Sequence, residues 1–347
     1  MRKAGFTRQP ASTSLTLPDV SNSTTAKETA IALLHKFFPD DHIAHDSVQQ
    51  KSIRAQVAVS KPPASQAVPN FKNHEVEEVI RKLQDRKSPG PDGIDGAIVK
   101  RMHKILHTFW TTLFNKCFLL GCFPKAWKRA SVIVNPKTDK SKLHTVQGYR
   151  SISLLSIPSK CLVKLLIGRL NHFLESTGQI PPQQYGFTAG RSSADAITVV
   201  RFIRCTSKLG TKCCLLTLDI AGAFDNALHP GILARLWEQK CPPNIYSIVK
   251  DFLQDQNAHI KLGEAESSKR MTRGCLQGSV SGPTLWNIII SDLIVLLSTS
   301  PNLEIVPFAE DIMIMIQGPS HSAVLTTVVN TLRTTQDWCK KQRLNQH

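Results

Sequence analysis

Phe308-Ala309-Glu310-Asp311 decides the reading of this chain. An aromatic residue, a small residue and two adjacent acids stand between apolar stretches. Leu303, Ile305 and Val306 precede them, and Ile312, Ile314 and Ile316 follow. Apolar runs on both sides of a short polar centre predict a β-hairpin with carboxylates at its tip. Upstream, Cys214-Leu215-Leu216-Thr217-Leu218 reads as a strand that delivers Asp219, with Ala223-Phe224-Asp225 just beyond. Acids at the ends of two separate strands suit a pair of Mg²⁺ ions, which take hard oxygen ligands and use one or two carboxylates besides substrate phosphates. Two such ions can clamp the attacking and leaving oxygens of a phosphoryl transfer.

Charge points the same way. The formal net charge is +17 over 347 residues, and nucleic acid is the commonest partner for such an excess, although a merely basic surface has the same sum. The charge is clustered. From Lys100 to Lys142 run Lys104, Lys116, Lys125, Lys128, Arg129, Lys137 and Lys140, with Asp139 as the one acid. Such a stripe suits a phosphate backbone. Nine cysteines, an odd number without metal-like spacing, and no apolar leader in residues 1–16 point to reduced thiols in an intracellular protein. The most apolar run, Leu285 to Leu297, is interrupted by Asn287, Ser291 and Asp292 and is too short and polar to span a bilayer.

Along the chain, residues 1–24 are rich in Ser and Thr and read as flexible. Thr25-Ala26-Lys27-Glu28 is a capping box opening a short helix with Ile31, Leu34 and Phe38 on its apolar face. Residues 51–70, with Pro62, Pro63 and Pro69, read as a linker. Val76, Val79, Ile80 and Leu83 then follow helical spacing, with Asn73 as N-cap. The loop from Lys87 to Gly93 stops that helix. Further helices are expected through Ile98–Leu113, from Pro158, after Ser192, over Thr284–Leu297 and from Leu325 to Cys339, with a strand at Ser131–Val134. Helices and short strands alternate irregularly, which predicts an α+β architecture.

Six segments in order resemble the reverse transcriptase of non-LTR (LINE-type) retrotransposons. They are KSPGPDGI (87–94), GYRSISLLSIPSK (148–160), QYGFTAGRSSADAI (184–197), LDIAGAFDNALHP (218–230), RGCLQGSVSGPTLWN (273–287) and FAED (308–311). The resemblance implies a polymerase right-hand fold with fingers and palm and a β-hairpin active site. It divides the chain into a flexible extension and linker, 1–70, and a reverse transcriptase domain, 71–347, with its core at about 117–347. It implies RNA-directed DNA synthesis from dNTPs on an RNA template and a DNA primer, two Mg²⁺ ions with Mn²⁺ as a substitute, no membrane partner, and a nuclear location.

Residue by residue, the resemblance makes Asp219, Glu310 and Asp311 the catalytic metal ligands. Phe224 matches the ring that excludes a ribose 2′-hydroxyl. Lys137 and Arg150 match basic contacts to the triphosphate, and Gln277-Gly278 a loop at the template base and incoming nucleotide. Gly186, Gly190 and Arg191 match a template-contacting turn. Plainer alternatives stand beside these. Asp219 could pair a lysine at a strand end, Phe224 could be core, Lys137 and Arg150 solvated cations, and the Gly186–Gly190 stretch an ordinary glycine turn.

Several positions depart from the family pattern. Glu310 stands where the family has aspartate. Pro307 removes a backbone donor beside the hairpin. Leu276 and Ser151 replace prolines, Val163 an acid and Thr188 a basic residue. The chain stops at Leu344–His347, where a lysine-bearing palm motif begins in the family, so the thumb is expected to be absent. These changes predict weak or absent turnover and leave a second reading open, a catalytically dead nucleic-acid-binding remnant of such an element. A viral RNA polymerase is disfavoured by Phe224, and a group II intron maturase by the 273–287 segment.

Overall fold

The computed structural model describes residues 25–137, 145–198, 211–275, 279–300 and 302–346. Among them are eight strands: β1 (Arg129–Pro136), β2 (Tyr149–Leu155), β3 (Lys212–Ala221), β4 (Asn257–Leu262), β5 (Ala265–Arg270), β6 (Leu303–Phe308), β7 (Asp311–Gly318) and β8 (Asn345–Gln346). They form two sheets, β2-β1-β4-β5 and β6-β7-β3-β8. All pairings are antiparallel except β1 with β4. Helices cover both sheets, so the α+β expectation holds.

Alternation in β7 explains its register. Ile312, Ile314 and Ile316 are buried on one face, against the main core. That core also takes the inner faces of the helices Ile157–Ser176, Pro243–Leu253 and Gly282–Ser298. The Gly282–Ser298 helix is buried nearly all round, including Asn287 and Ser291. Its apolarity is that of an interior helix, and among the described residues no helix is long and apolar enough to cross a membrane.

The N-terminal part differs from its expected boundaries. Thr25 and Glu28 close the capping box, and the helix Ala26–Phe37 buries Ala30, Leu33, Leu34 and Phe37. These pack on Ala130, Val132, Leu155, Ala258, Ile260 and Met271 of the first sheet and its flank. A second box, Ser47 with Gln50, opens the helix Val48–Val59. The linker reading of 51–70 and the flexible reading up to residue 70 are therefore corrected. Prolines lie only beyond Ser60, and nothing in 51–59 stops a helix started by the Ser47 cap. Even the irregular stretch after it is tied down: Asn244 Oδ1 accepts from the Val68 nitrogen at 3.2 Å and Asn244 Nδ2 donates to the Val68 carbonyl at 2.8 Å. Residues 1–24 lie outside the described residues. The next helix runs Asn73–Arg81, with Lys72 rather than Asn73 at the N-cap, because Glu75 bonds the Lys72 nitrogen at 2.7 Å.

If residues 26–59 are part of the fold, Phe37→Ala lowers unfolding stability by about 3–5 kcal/mol, the cost of emptying a buried aromatic site. Denaturant titration measures this. An unchanged midpoint would restore the flexible extension.

Candidate active site

β3 and β7 pair so that Asp219, near the end of β3, stands directly opposite Asp311, the first residue of β7. Both are exposed, on the face opposite the buried isoleucines. Phe308 pairs with Asp311, leaving Ala309 and Glu310 as a two-residue turn. Ala309 has φ +59 and Glu310 has no positive φ, the pattern of a II′ hairpin, whose first position usually needs glycine. Alanine accepts that conformation because the turn is held from outside. The indole Nε1 of Trp286 donates to the Ala309 carbonyl at 3.1 Å, and the Tyr185 nitrogen donates to the Pro307 carbonyl at 3.1 Å. Gly186 lies against the turn so closely that a Cβ there would sit 2.8 Å from the Ala309 Cα and 2.9 Å from the Phe308 carbonyl carbon. Asn287 Nδ2 donates to the Gly186 carbonyl at 3.1 Å, and the Gly186 nitrogen to Gln184 Oε1 at 2.9 Å.

Pro307 disturbs less than expected. In a two-residue hairpin the flanking pair exchanges hydrogen bonds, so the next pair, Pro307 with Ile312, is a non-bonded one. The missing N–H therefore faces away from β7, on an edge strand, and costs no ladder bond.

Glu310 is half-buried, and its pKa is raised from 4.5, by burial first and then by the like charges of Asp311 and Asp219. The three carboxylates thus feel one another. Among the described residues no three His, Cys, Asp or Glu side chains form a ready-made metal cage. Mg²⁺ in general binds through one or two carboxylates, with water and substrate phosphates completing the octahedron. Asp219 and Asp311 are the pair at hand, with Glu310 beside them on a side chain one methylene longer than aspartate.

Phe224 lies on the short helix Ala223–Asn226, directly after β3. Its ring is flanked by Phe187 at 5.9 Å and Trp286 at 6.0 Å. The Phe224 carbonyl accepts from the Cys275 nitrogen at 2.7 Å, and Ala227 from the Gly274 nitrogen at 2.8 Å. Gly274 has φ +84, and a Cβ there would lie 2.9 Å from the Asp225 carbonyl carbon, so its glycine answers a protein contact. Beside it, His229 Nε2 donates to the Gly274 carbonyl at 2.7 Å, and burial holds the His229 pKa below its ordinary value.

The other expected site residues fall in separate places. Asn135 pairs with Arg150, and the Lys137 nitrogen donates to the Gly148 carbonyl at 2.7 Å, so Lys137 and Arg150 share one end of the β1–β2 hairpin, both exposed. Gly190 has φ +73 and open space around it. Arg191 Nη1 donates to the carbonyls of Gln184, at 2.8 Å, and of Pro182, and its guanidinium lies over the Tyr185 ring. Arg191 and Gly186 thus both serve the segment that backs the hairpin. Gln277 and Gly278, like Leu276, lie outside the described residues. Trp286, Asn287, Tyr185 and Gln184 hold the turn and were not assigned roles from sequence. One signal was available: an asparagine inside an apolar helix demands a partner.

The raised Glu310 pKa has a consequence for stability. A carboxyl whose folded pKa exceeds its unfolded value favours folding while neutral. That advantage is present below the ordinary value and is lost as pH rises through the folded one. Without metal, Glu310→Gln should raise the melting temperature at neutral pH, and the gain should vanish near pH ~4. Calorimetry in chelator at both pH values checks this. An equal or lower melting temperature at neutral pH would mean that burial and neighbouring charge do not disfavour the ionised Glu310.

Residues 135–347 match the family described as reverse transcriptase (RNA-dependent DNA polymerase). The chain is 30% identical over 317 residues to a retrovirus-related Pol polyprotein from a type-1 retrotransposable element R1 of Bradysia coprophila, covering 89% of this chain and 30% of that protein. It is 32% identical over 272 residues to an RNA-directed DNA polymerase from the mobile element jockey of Drosophila melanogaster, covering 77% of this chain and 30% of the relative. A probable RNA-directed DNA polymerase from transposon BS of the same fly is 27% identical over 278 residues, again 77% of this chain and 30% of the relative. The chain thus spans about a third of the length of these relatives. With the carboxylate pair, its backed hairpin and the flanked phenylalanine on one scaffold, the chain belongs to the reverse transcriptase family, among those of non-LTR retrotransposons.

Proposed function

We propose that the chain performs RNA-directed DNA synthesis, joining dNTPs to the 3′-hydroxyl of a DNA primer on an RNA template. One observation carries this reading. Asp219 and Asp311 are cross-strand neighbours at an open sheet end, with Glu310 near enough for the charge of both to raise its pKa. In this reading the β6-β7-β3-β8 sheet belongs to the palm and the β2-β1-β4-β5 sheet to the fingers.

Asp219 and Asp311 would hold two Mg²⁺ ions, or Mn²⁺ in their place, with Glu310 reaching in from the turn. When bound, such ions activate the primer hydroxyl and neutralise the departing pyrophosphate. The protein's own part is positioning. The β3–β7 ladder fixes the separation of the two aspartates. Phe224, braced between Phe187 and Trp286, presents a ring that cannot yield to a ribose 2′-hydroxyl. Lys137 and Arg150 offer a point charge and a bidentate fork to the triphosphate. Gln277 and Gly278 contribute at the template base, and Gly190 on the template side, with Gly186 and Arg191 supporting from behind.

A second reading, a copy that binds nucleic acid with little chemistry, is favoured by Glu310 itself. The extra methylene displaces its carboxylate, and Mg²⁺ tolerates little departure from octahedral geometry. A misplacement of about 1 Å costs on the order of 10²-fold in rate. Primer extension on poly-rA/oligo-dT separates the readings. We expect slow extension by the unmodified chain, an increase of about 10–100-fold in Glu310→Asp, and none in Asp219→Ala. No extension by the folded unmodified chain or by Glu310→Asp would leave the binding remnant; extension by Asp219→Ala would overturn the assigned site.

A further inference from the structure

Four charged side chains close a buried ring between the N-terminal segment and the end of the helix His321–Gln342. Asp41 and Asp46 have side chains only 4% and 0% exposed. Arg54 reaches Asp41 at 2.8 Å and Asp46 at 2.6 Å. Arg343 reaches the same two, at 2.9 Å and 2.7 Å. Each carboxylate therefore meets both guanidinium groups, and removing one member leaves buried charge uncompensated. The ring joins the N-terminal segment to the residue that ends the helix His321–Gln342, where Arg343 has φ +55. Gln50 reinforces the joint, its Nε2 donating to the carbonyls of Lys340 at 2.8 Å and Lys341 at 3.2 Å.

From the ring, two routes lead to the site. Arg273 is buried, and its Nη2 donates to the Arg343 carbonyl and to the Asn226 carbonyl, both at 2.9 Å. Asn226 ends the short helix that carries Phe224, and the residues after Arg273 hold the same turn through the Phe224 and Ala227 carbonyls. On the other side, Asn345 and Gln346, just past Arg343, pair with Ala221 and Ile220, directly after Asp219. Asp41 adds a third tie, its nitrogen donating to Thr272 Oγ1 at 2.9 Å. The stretch 219–227 is thus gripped at its start and its end by groups anchored on one ring.

We infer that the ring of Asp41, Asp46, Arg54 and Arg343, acting through Arg273, positions the Phe224 turn, so that the N-terminal segment helps set discrimination between deoxy- and ribonucleotides. The coupling stands on the structure alone; its effect on nucleotide choice rests on the polymerase reading. These are positioning residues, since none of them touches the reacting atoms.

Two mild variants test it. Asp41→Asn keeps shape and removes one charge from the ring. Arg273→Lys keeps charge and replaces the guanidinium that spans two carbonyls. Hydrogen exchange followed by mass spectrometry on the full chain should show peptides covering 219–227 exchanging about tenfold faster in both, with the helix Ile157–Ser176 unchanged. In primer extension the ratio of kcat/KM for dTTP over UTP should fall about tenfold. Loss of folded protein alone lowers both rates equally and leaves that ratio intact. Unchanged exchange at 219–227, or faster exchange with an unchanged ratio, overturns the inference. If the unmodified chain incorporates neither nucleotide, the polymerase reading fails, and the exchange comparison by itself decides the coupling.

Discussion

Like charges have to be kept together at the open end of a sheet, and much of this molecule is arranged around that demand. The Glu310 pKa is raised by burial first and then by the charges of Asp311 and Asp219 beside it. A free two-residue turn would relieve the repulsion by splaying. Here it cannot, because Trp286 holds the Ala309 carbonyl, Tyr185 holds Pro307, and Gly186 fills the space behind. The backing residues come from two segments remote from the hairpin, one of them the most buried of the described helices. The carboxylates are thus set against a fixed rear wall, as preorganised sites hold charge for a cation or a transferring phosphate.

The same logic extends backwards. The turn that carries Phe224 follows Asp219 within five residues and is itself held by backbone bonds from Gly274 and Cys275 and by Arg273. Behind Arg273 stands a ring of paired arginines and aspartates from both ends of the described chain. Buried ion pairs often add no net stability over apolar packing, and here their inferred role is to fix the segment leading out of the site.

Local signals were legible in the sequence, and contacts across the chain were not. Alternation around Phe308–Asp311 announced the hairpin, and the apolar run before Asp219 announced its partner strand, because period-two burial is written in neighbouring residues. Thr25 and Glu28 announced their helix by a three-residue motif. Gly186, expected in a template-contacting turn, also lies against the backbone of the distant hairpin, and Gly274 against that of Asp225. Arg191, expected at the template, also has its Nη1 on nearby carbonyls, a contact that spacing does not announce. Residues 25–70 read as extension and linker because their ties run to partners such as Arg343, about three hundred positions away. A glycine or arginine in a sequence states that something comes close; only the fold states what.

In the proposed function Asp219 and Asp311, with Glu310 beside them, form a divalent-ion site. Mn²⁺ titration followed by electron paramagnetic resonance, with a non-extendable template–primer and dNTP present, tests it most directly. The account predicts about two ions taken up by the unmodified chain, with uptake lost or weakened at least tenfold in Asp219→Asn, in protein whose thermal unfolding is intact. Equal uptake by the folded Asp219→Asn variant would contradict it, and the carboxylates would have to be explained without metal.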